Sequence, residues 1–313
     1  MRAATVQDHQ LRVVEVDEPK PAPSQALVRN AASSINKGEV RGIRSAPHWQ
    51  LSAANGPWVP GWDFAGTVET QAADGSGPRV GARVVGWTRQ GAWAERVAAE
   101  ADQLVELPDG VSFAQASTLP IAGLTAWHAL RLARLERGRK VLVLGANGGV
   151  GRFALQIARA AGASTVGVVT SEAKRASIAG IADEVSVGLP AEGAFDIILE
   201  CIGGPTLAAC FGLVAPYATI VSYGNASGEP TTFEPGAAFR KPCFTLQSFA
   251  LYDELERRPS NAEGLDELVA MLADGRIETT VALEAELDRI QDACDALMAR
   301  QVDGKAVIRI GAG

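Results

Sequence analysis

Histidine occurs only at His9, His48 and His128 in 313 residues, so a histidine-built metal centre has few places to form. The four cysteines, Cys201, Cys210, Cys243 and Cys294, are scattered. None forms a Cys-x-x-Cys pair, which argues against both a zinc cage and a disulfide framework. A reducing cytoplasm is the expected home. Tyrosine is equally scarce, at Tyr217, Tyr223 and Tyr252, so the amino-terminal half has no phenol to give a proton. No apolar run approaches the ~18 residues a membrane span needs, and the opening "MRAATVQDHQ" lacks the apolar core of a signal peptide. Positive charge is in deficit: 29 Lys and Arg against 36 Asp and Glu leave a net charge of -7. Nucleic acid and anionic membrane, which favour basic patches, are therefore not expected partners.

What is present is ordinary for a globular enzyme, with 47% hydrophobic and 21% charged residues. The length allows two domains of ~100–200 residues each. Up to residue 118 the chain reads as short strands broken by Gly and Pro, among them "QALVRNAAS", "FAGTVETQ" and "RVGARVVGW". The texture then changes. "VLVLG", "STVGVVT", "DEVSV", "FDIILE" and "ATIVSYG" alternate with helical patterns, as parallel strands joined by crossover helices do. Beyond Phe249 two amphipathic helices, in "AEGLDELVAMLADGRI" and "ELDRIQDACDALMARQ", precede one last strand, "GKAVIRI". The tail is expected to pack back onto the first part.

"VLVLGANGGVG" carries the clearest chemistry. A strand ends at Gly145, and Asn147, Gly148, Gly149, Val150 and Gly151 lead into a helix. Glycines there let backbone amides approach a pyrophosphate, which the positive end of the helix also favours. NAD-binding turns of this kind carry an acid ~20 residues on, at the end of the second strand. Here Thr170 and Ser171 fill that place, and Lys174 and Arg175 follow within a turn. Hydroxyl plus cations suit a 2′-phosphate, so NADPH is the expected cofactor. Glu172 is the counter-argument, since it could hold a ribose 2′-OH.

With these residues in view, the chain resembles the medium-chain dehydrogenase/reductase superfamily, in its zinc-free quinone oxidoreductase and enoyl reductase branch. The similar stretches are "SSINKGEV", "PGWDFAGTV", "VGARVVG", "GAWAERV", "ASTLPIAGLTAWHAL", "VLVLGANGGVGRFALQIARAAGA", "FDIILECIGG", "IVSYGNASG" and "GKAVIRI", in family order along the whole length. The resemblance implies an α/β protein: a GroES-like β-rich catalytic domain, residues 1–118 completed by 251–313, and a Rossmann doubly wound parallel-sheet domain, residues 119–250. Zinc-dependent members carry Gly-His-Glu where this chain has Gly61, Trp62 and Asp63, and a cysteine near the place of Asn36. Polarisation of an alcohol by zinc is therefore not expected, and Asp63 is expected to be a structural acid answered by Arg or by backbone amides.

The remaining chemistry is hydride delivery to a quinone or an α,β-unsaturated carbonyl, small molecules that accept charge on oxygen. By the resemblance Asn36 and Thr125 are the catalytic candidates. His128, one helical turn after Thr125, is a candidate for the cofactor phosphates or for proton supply, or else a structural histidine. Ile202, Gly203, Tyr223, Gly224 and Asn225 lie where relatives hold the nicotinamide end. Arg41, Trp49 and Trp62 are the expected substrate-pocket residues, with Arg44 and His48 nearby. "CFTLQSFAL" reads as an edge strand that relatives pair across a homodimer axis. A family-shaped protein that binds NADPH without redox turnover is the alternative.

Overall fold

The computed structural model describes residues 1–45, 57–238, 243–257 and 263–311. Its chain divides into two compact units, one made of residues 1–122, 258–275 and 279–313, the other of residues 123–257 and 276–278.

The first unit is built on a seven-stranded sheet. Its order runs Val281–Glu286, Lys305–Arg309, Gln25–Ile35, Asp63–Thr70, Arg83–Trp87, Leu104–Glu106, with Arg96–Glu100 also paired to Gln25–Ile35. All pairings are antiparallel except that of the last two strands in sequence. The tail thus enters the sheet beside the long strand Gln25–Ile35, with Ala306 opposite Ile35. A hairpin of Arg2–Gln7 and Gln10–Glu15 turns at Asp8 and His9, both with positive φ. Helix Lys37–Ser45 buries Glu39, Val40 and Ile43 on one face and leaves Gly38, Arg41 and Gly42 exposed on the other. Beneath it Ile35, Val40, Ile43, Trp93, Ile290, Leu297 and Ile308 form one apolar cluster. Burial of each such side chain is worth about 1.5–3 kcal/mol.

The second unit holds a six-stranded parallel sheet in the order Glu184–Val187, Ser164–Val169, Lys140–Leu144, Phe195–Glu200, Val214–Ser222, Phe244–Ser248. This is the doubly wound order, reversing between the first and fourth strands, where such sheets bind their ligands. The strands read as continuous apolar runs because both faces are covered. Leu142, Leu144, Ile198, Leu213 and Ile220 are all within the resulting core. Helix Leu124–Leu132 packs against helix Gly149–Ala160.

Candidate active site

In the second unit the turn after Lys140–Leu144 has the shape a dinucleotide requires. Gly145 has φ +64°, which a side chain disfavours. At Gly151 an added Cβ would stand 2.5 Å from the Gly145 carbonyl oxygen and 2.7 Å from Ala146 Cα, both backbone. Only glycine lets the helix start this close to the strand. Gly148 takes the N-cap position and no side chain caps helix Gly149–Ala160, so its first-turn amides have no intrahelical partner. Asn147, Gly148, Gly149, Val150 and Gly151 therefore make a cradle that fits a pyrophosphate.

The other expected cofactor residues sit on loops that leave the same carboxyl edge of the sheet. Ser171 ends the loop after Ser164–Val169 and makes no cap bond to the short helix Glu172–Arg175. Arg175 forks onto Glu172, at 2.7 and 3.1 Å, and also donates to the Val185 carbonyl at 2.6 Å. Its cation is thus partly committed locally, and Lys174 beside it is half-buried, as Arg175 is. Past Phe195–Glu200, the buried Glu200 carboxylate accepts the amides of Ile202 (2.6 Å) and Gly203 (2.8 Å). Burial raises its pKa, against the pull of those amides. The Ile202–Gly203 turn is zipped to the Tyr223–Ser227 loop: Ala226 donates to the Cys201 carbonyl and Ser227 to that of Ile202. A Cβ at Gly203 would stand 2.5 Å from Oδ1 of Asn225. Tyr223 is half-buried; desolvation, then its contact with Cys201 and the nearby Glu200, push its hydroxyl well above the usual range. Gly224 packs on the Cys201 carbonyl.

Thr125 is buried in the first turn of helix Leu124–Leu132, which continues a π-helical turn over Leu119–Gly123. His128 on that helix is fully buried. Its ring lies edge-on to Trp127, 6.5 Å from the Phe249 ring, with Nδ1 3.9 Å from Glu254. The expectation that His128 offers its ring to phosphates meets a different geometry: the ring is enclosed where the helix faces Phe249 and the helix Leu251–Glu256.

In the first unit the residues around Asp63 form a closed charged network. Asp63 is fully buried. Its Oδ2 accepts from Ser34 Oγ, from Asn36 Nδ2 at 2.8 Å and from Lys305 Nζ at 3.5 Å, while Oδ1 accepts the Ile121 amide at 2.8 Å. Of the two kinds of partner expected for Asp63, the backbone amide is present, from Ile121, while the charged partner is a lysine of the last strand and not an arginine. Lys305 spends its three protons on Asp63, on Asn36 Oδ1 (2.6 Å) and on the Ile35 carbonyl (3.3 Å). Burial lowers its pKa, and Asp63 and Glu39 oppose that. Glu39 accepts the Asn36 amide through Oε2 and the Trp62 amide through Oε1, each at 2.6 Å. Burial first, then the Asp63 charge, push its pKa up to about 8.

Asn36 therefore does not fit the expectation of a side chain aimed at substrate. Its carbonyl receives the Glu39 amide at the start of helix Lys37–Ser45, and both ends of its side-chain amide are engaged by Asp63 and Lys305. Trp62 is partly exposed, with the Cη2–Cζ3 edge of its indole against Gly38, and Arg41 is exposed one turn on. Trp49, with Arg44's neighbour His48, lies outside the described residues; Arg44 pairs with Asp295 at 2.7 Å.

Lys305, Glu39 and Glu200 went unpredicted. A signal existed for two of them: a lysine opening the apolar run "GKAVIRI", and the Asn-x-x-Glu spacing of Asn36 and Glu39, which matches half a capping box. Trp62 has no ligand atom and Asp63 is saturated by four donors, so this place does not fit a catalytic zinc. Among the described residues no group of three or more His, Cys, Asp or Glu could hold a metal ion, and no helix is long and apolar enough to cross a membrane.

Comparison with known proteins agrees with this architecture. The family model for the alcohol dehydrogenase GroES-like domain matches residues 22–109, and that for zinc-binding dehydrogenase matches residues 181–308. A quinone oxidoreductase of Pseudomonas aeruginosa is 29% identical over 92% of each chain. An acryloyl-coenzyme A reductase of Metallosphaera sedula is 26% identical over 98% of this chain and 99% of its own. A mycobacterial protein solved in complex with NADPH superposes with a TM-score of 0.87, at 25% identity and 99% coverage of both chains. A mycocerosic acid synthase-like polyketide synthase of Mycobacterium tuberculosis is 38% identical over 53% of this chain, which spans only 8% of that relative's length. Two domain models in their family order, and relatives matched from end to end, agree with the GroES-like and Rossmann-type sheets: the chain belongs to the medium-chain dehydrogenase/reductase superfamily, in its quinone oxidoreductase branch.

Proposed function

We propose that this chain is an NADPH-dependent reductase that works without zinc and passes hydride to a quinone or an α,β-unsaturated carbonyl. The observation that carries this reading is the Gly145–Gly151 turn, where backbone stands in the space of any side chain at Gly151. The names of the relatives support the acceptor classes, one a quinone and the other an acryloyl thioester. The mycobacterial complex supports the cofactor.

The bound cofactor supplies the hydride. The cradle from Asn147 to Gly151 holds its pyrophosphate. Ser171, Lys174 and Arg175 hold the 2′-phosphate, and Glu172 keeps the Arg175 fork oriented. Ile202, Gly203, Tyr223, Gly224 and Asn225 take the nicotinamide end, with Thr125 as a hydroxyl partner. Trp62 stacks on the flat acceptor, and Arg41 favours the charge that grows on its oxygen. Asn36, held by Asp63 and Lys305, positions that face. The enzyme acts on small molecules in the cytoplasm, as a homodimer paired through Phe244–Ser248.

The test is NADPH oxidation with a naphthoquinone and with cyclohexenone. Turnover is expected with at least one, and NADPH should be preferred over NADH. Arg175→Ala should weaken NADPH about tenfold, the loss of about 1.4 kcal/mol, and leave NADH unchanged. Tight NADPH binding without turnover across quinones and enones would overturn the reductase reading. Equal affinity for NADH and NADPH would remove the roles given to Ser171, Lys174 and Arg175.

A further inference from the structure

The backbone that carries Trp62 is fixed on both sides. Its amide donates to Glu39 at 2.6 Å and its carbonyl accepts from Thr88 at 2.8 Å. The preceding Gly61, at φ +104°, sits so close to Trp93 that a Cβ would stand 2.4 Å from the Trp93 nitrogen. Val59 and Pro60 carbonyls are bonded to Gly91 and Trp93 amides. These contacts hold the backbone on both sides of the residue. The indole itself lies on the first turn of helix Lys37–Ser45, where a Cβ at Gly38 would approach Cη2 and Cζ3 of Trp62 to 3.1 and 3.2 Å. Such a contact is tighter than ordinary packing, and the indole must give by a few tenths of an ångström. With the Trp62 backbone held, a small rotation of the indole is the readiest way to relieve it.

We propose that Gly38 is a specificity-determining position: the missing side chain lets the Cη2–Cζ3 edge of the Trp62 indole sit against the helix, and this sets the width of the face offered to the acceptor. The inference rests on the reading of Trp62 as an acceptor-stacking residue. Gly38 has no positive φ and no structural need for glycine other than this contact. In the first turn of a helix glycine is the poorer helix former, so local stability favours a larger residue. A larger residue would turn the indole out and narrow the face for a two-ring quinone more than for a single-ring enone.

The test is Gly38→Ala, alone and combined with Trp62→Phe. Alanine is the better helix former, so loss of folding does not confuse the result. In the cofactor-free protein, the emission attributed to Trp62, taken as the difference from Trp62→Phe, should shift in Gly38→Ala. The ratio of kcat/KM for a naphthoquinone to that for cyclohexenone should fall about tenfold, the scale of one added methylene in a pocket. KM for NADPH should stay unchanged. In the Trp62→Phe background the Gly38→Ala effect should vanish, since the clashing atoms are gone. A Gly38→Ala effect of the same size in that background would overturn the proposal, as would an indole that moves without any change in acceptor selectivity. If the wild type turns over no acceptor, quenching of indole emission by the naphthoquinone replaces the rate. Quenching weakened by Gly38→Ala would then sustain the assignment of Gly38 and sink only the reductase reading; quenching unaffected by it would sink the assignment as well.

Discussion

Asp63 shows how a buried carboxylate is kept. Four donors meet it, and one carries the compensating charge from a strand far along the sequence. Breaking a buried ion pair on one side costs far more than replacing both partners, because the surviving charge stays in the interior. Lys305→Met should therefore destabilise the first unit by about 3–5 kcal/mol, measured by urea unfolding, while Lys305→Met with Asp63→Asn should recover most of the loss. A single variant within about 1 kcal/mol of wild type would show that Ser34, Asn36 and the Ile121 amide suffice for Asp63. The need for a partner was legible in "VPGWDFAG", because an acid between Trp62 and Phe64 demands one. Its identity was not. Nothing local links Asp63 to Lys305; the pairing of Lys305–Arg309 with Gln25–Ile35 brings them together. The same holds for Asn36, whose side chain looked available until that strand supplied its acceptor's partner.

At the scale of elements, the parallel strands of the second unit were readable because their apolar runs are short and bounded by glycine. Val281–Glu286 was not readable. "VALEAE" is rich in the helix formers Ala, Leu and Glu, and only its parallel pairing with Lys305–Arg309 makes it a strand. The hairpin at Asp8 and His9 lacked the Asn-Gly or Asp-Gly signal of a tight turn. The edge strand Phe244–Ser248 was expected, and it carries a consequence. Among the described residues it pairs only with Val214–Ser222, its sequence "FTLQS" has no charge or proline to guard it, and Leu246 is 44% exposed. Unguarded edges recruit another strand. Sedimentation should find the wild type dimeric at micromolar concentration, and Leu246→Lys should shift it to monomer. A wild type that sediments as a monomer, or a dimer indifferent to Leu246→Lys, would rule out pairing through this edge.

For the whole molecule, the tail both completes the first sheet and closes its charged network, so the stability of that unit is tied to proton binding within it. Glu39 governs the sign near neutral pH. Its carboxyl is pushed from an ordinary 4.5 to about 8 by burial and by Asp63, so the folded state holds a proton that the unfolded chain has released. Its contribution is fully present below the unfolded value and is lost as pH rises through the folded one. Lys305 carries the opposite sign: burial lowers its pKa, so its penalty is relieved as pH rises from that lowered value to the ordinary lysine range. Cys294, whose thiol burial and Glu39 push up, stays protonated throughout. Glu200, raised by burial in the second unit, acts in the same direction as Glu39 but belongs to the other sheet. Thermal unfolding followed through the first unit should therefore show a midpoint that falls steadily between pH 5 and pH 8, a window set by the direction and size of the Glu39 shift. Glu39→Gln removes the titrating proton and should flatten that slope, even though it starts lower at pH 5 because one backbone amide, of Asn36 or Trp62, loses its acceptor. A wild-type midpoint that rises over this range, or a Glu39→Gln profile parallel to the wild type, would place the proton elsewhere in the network.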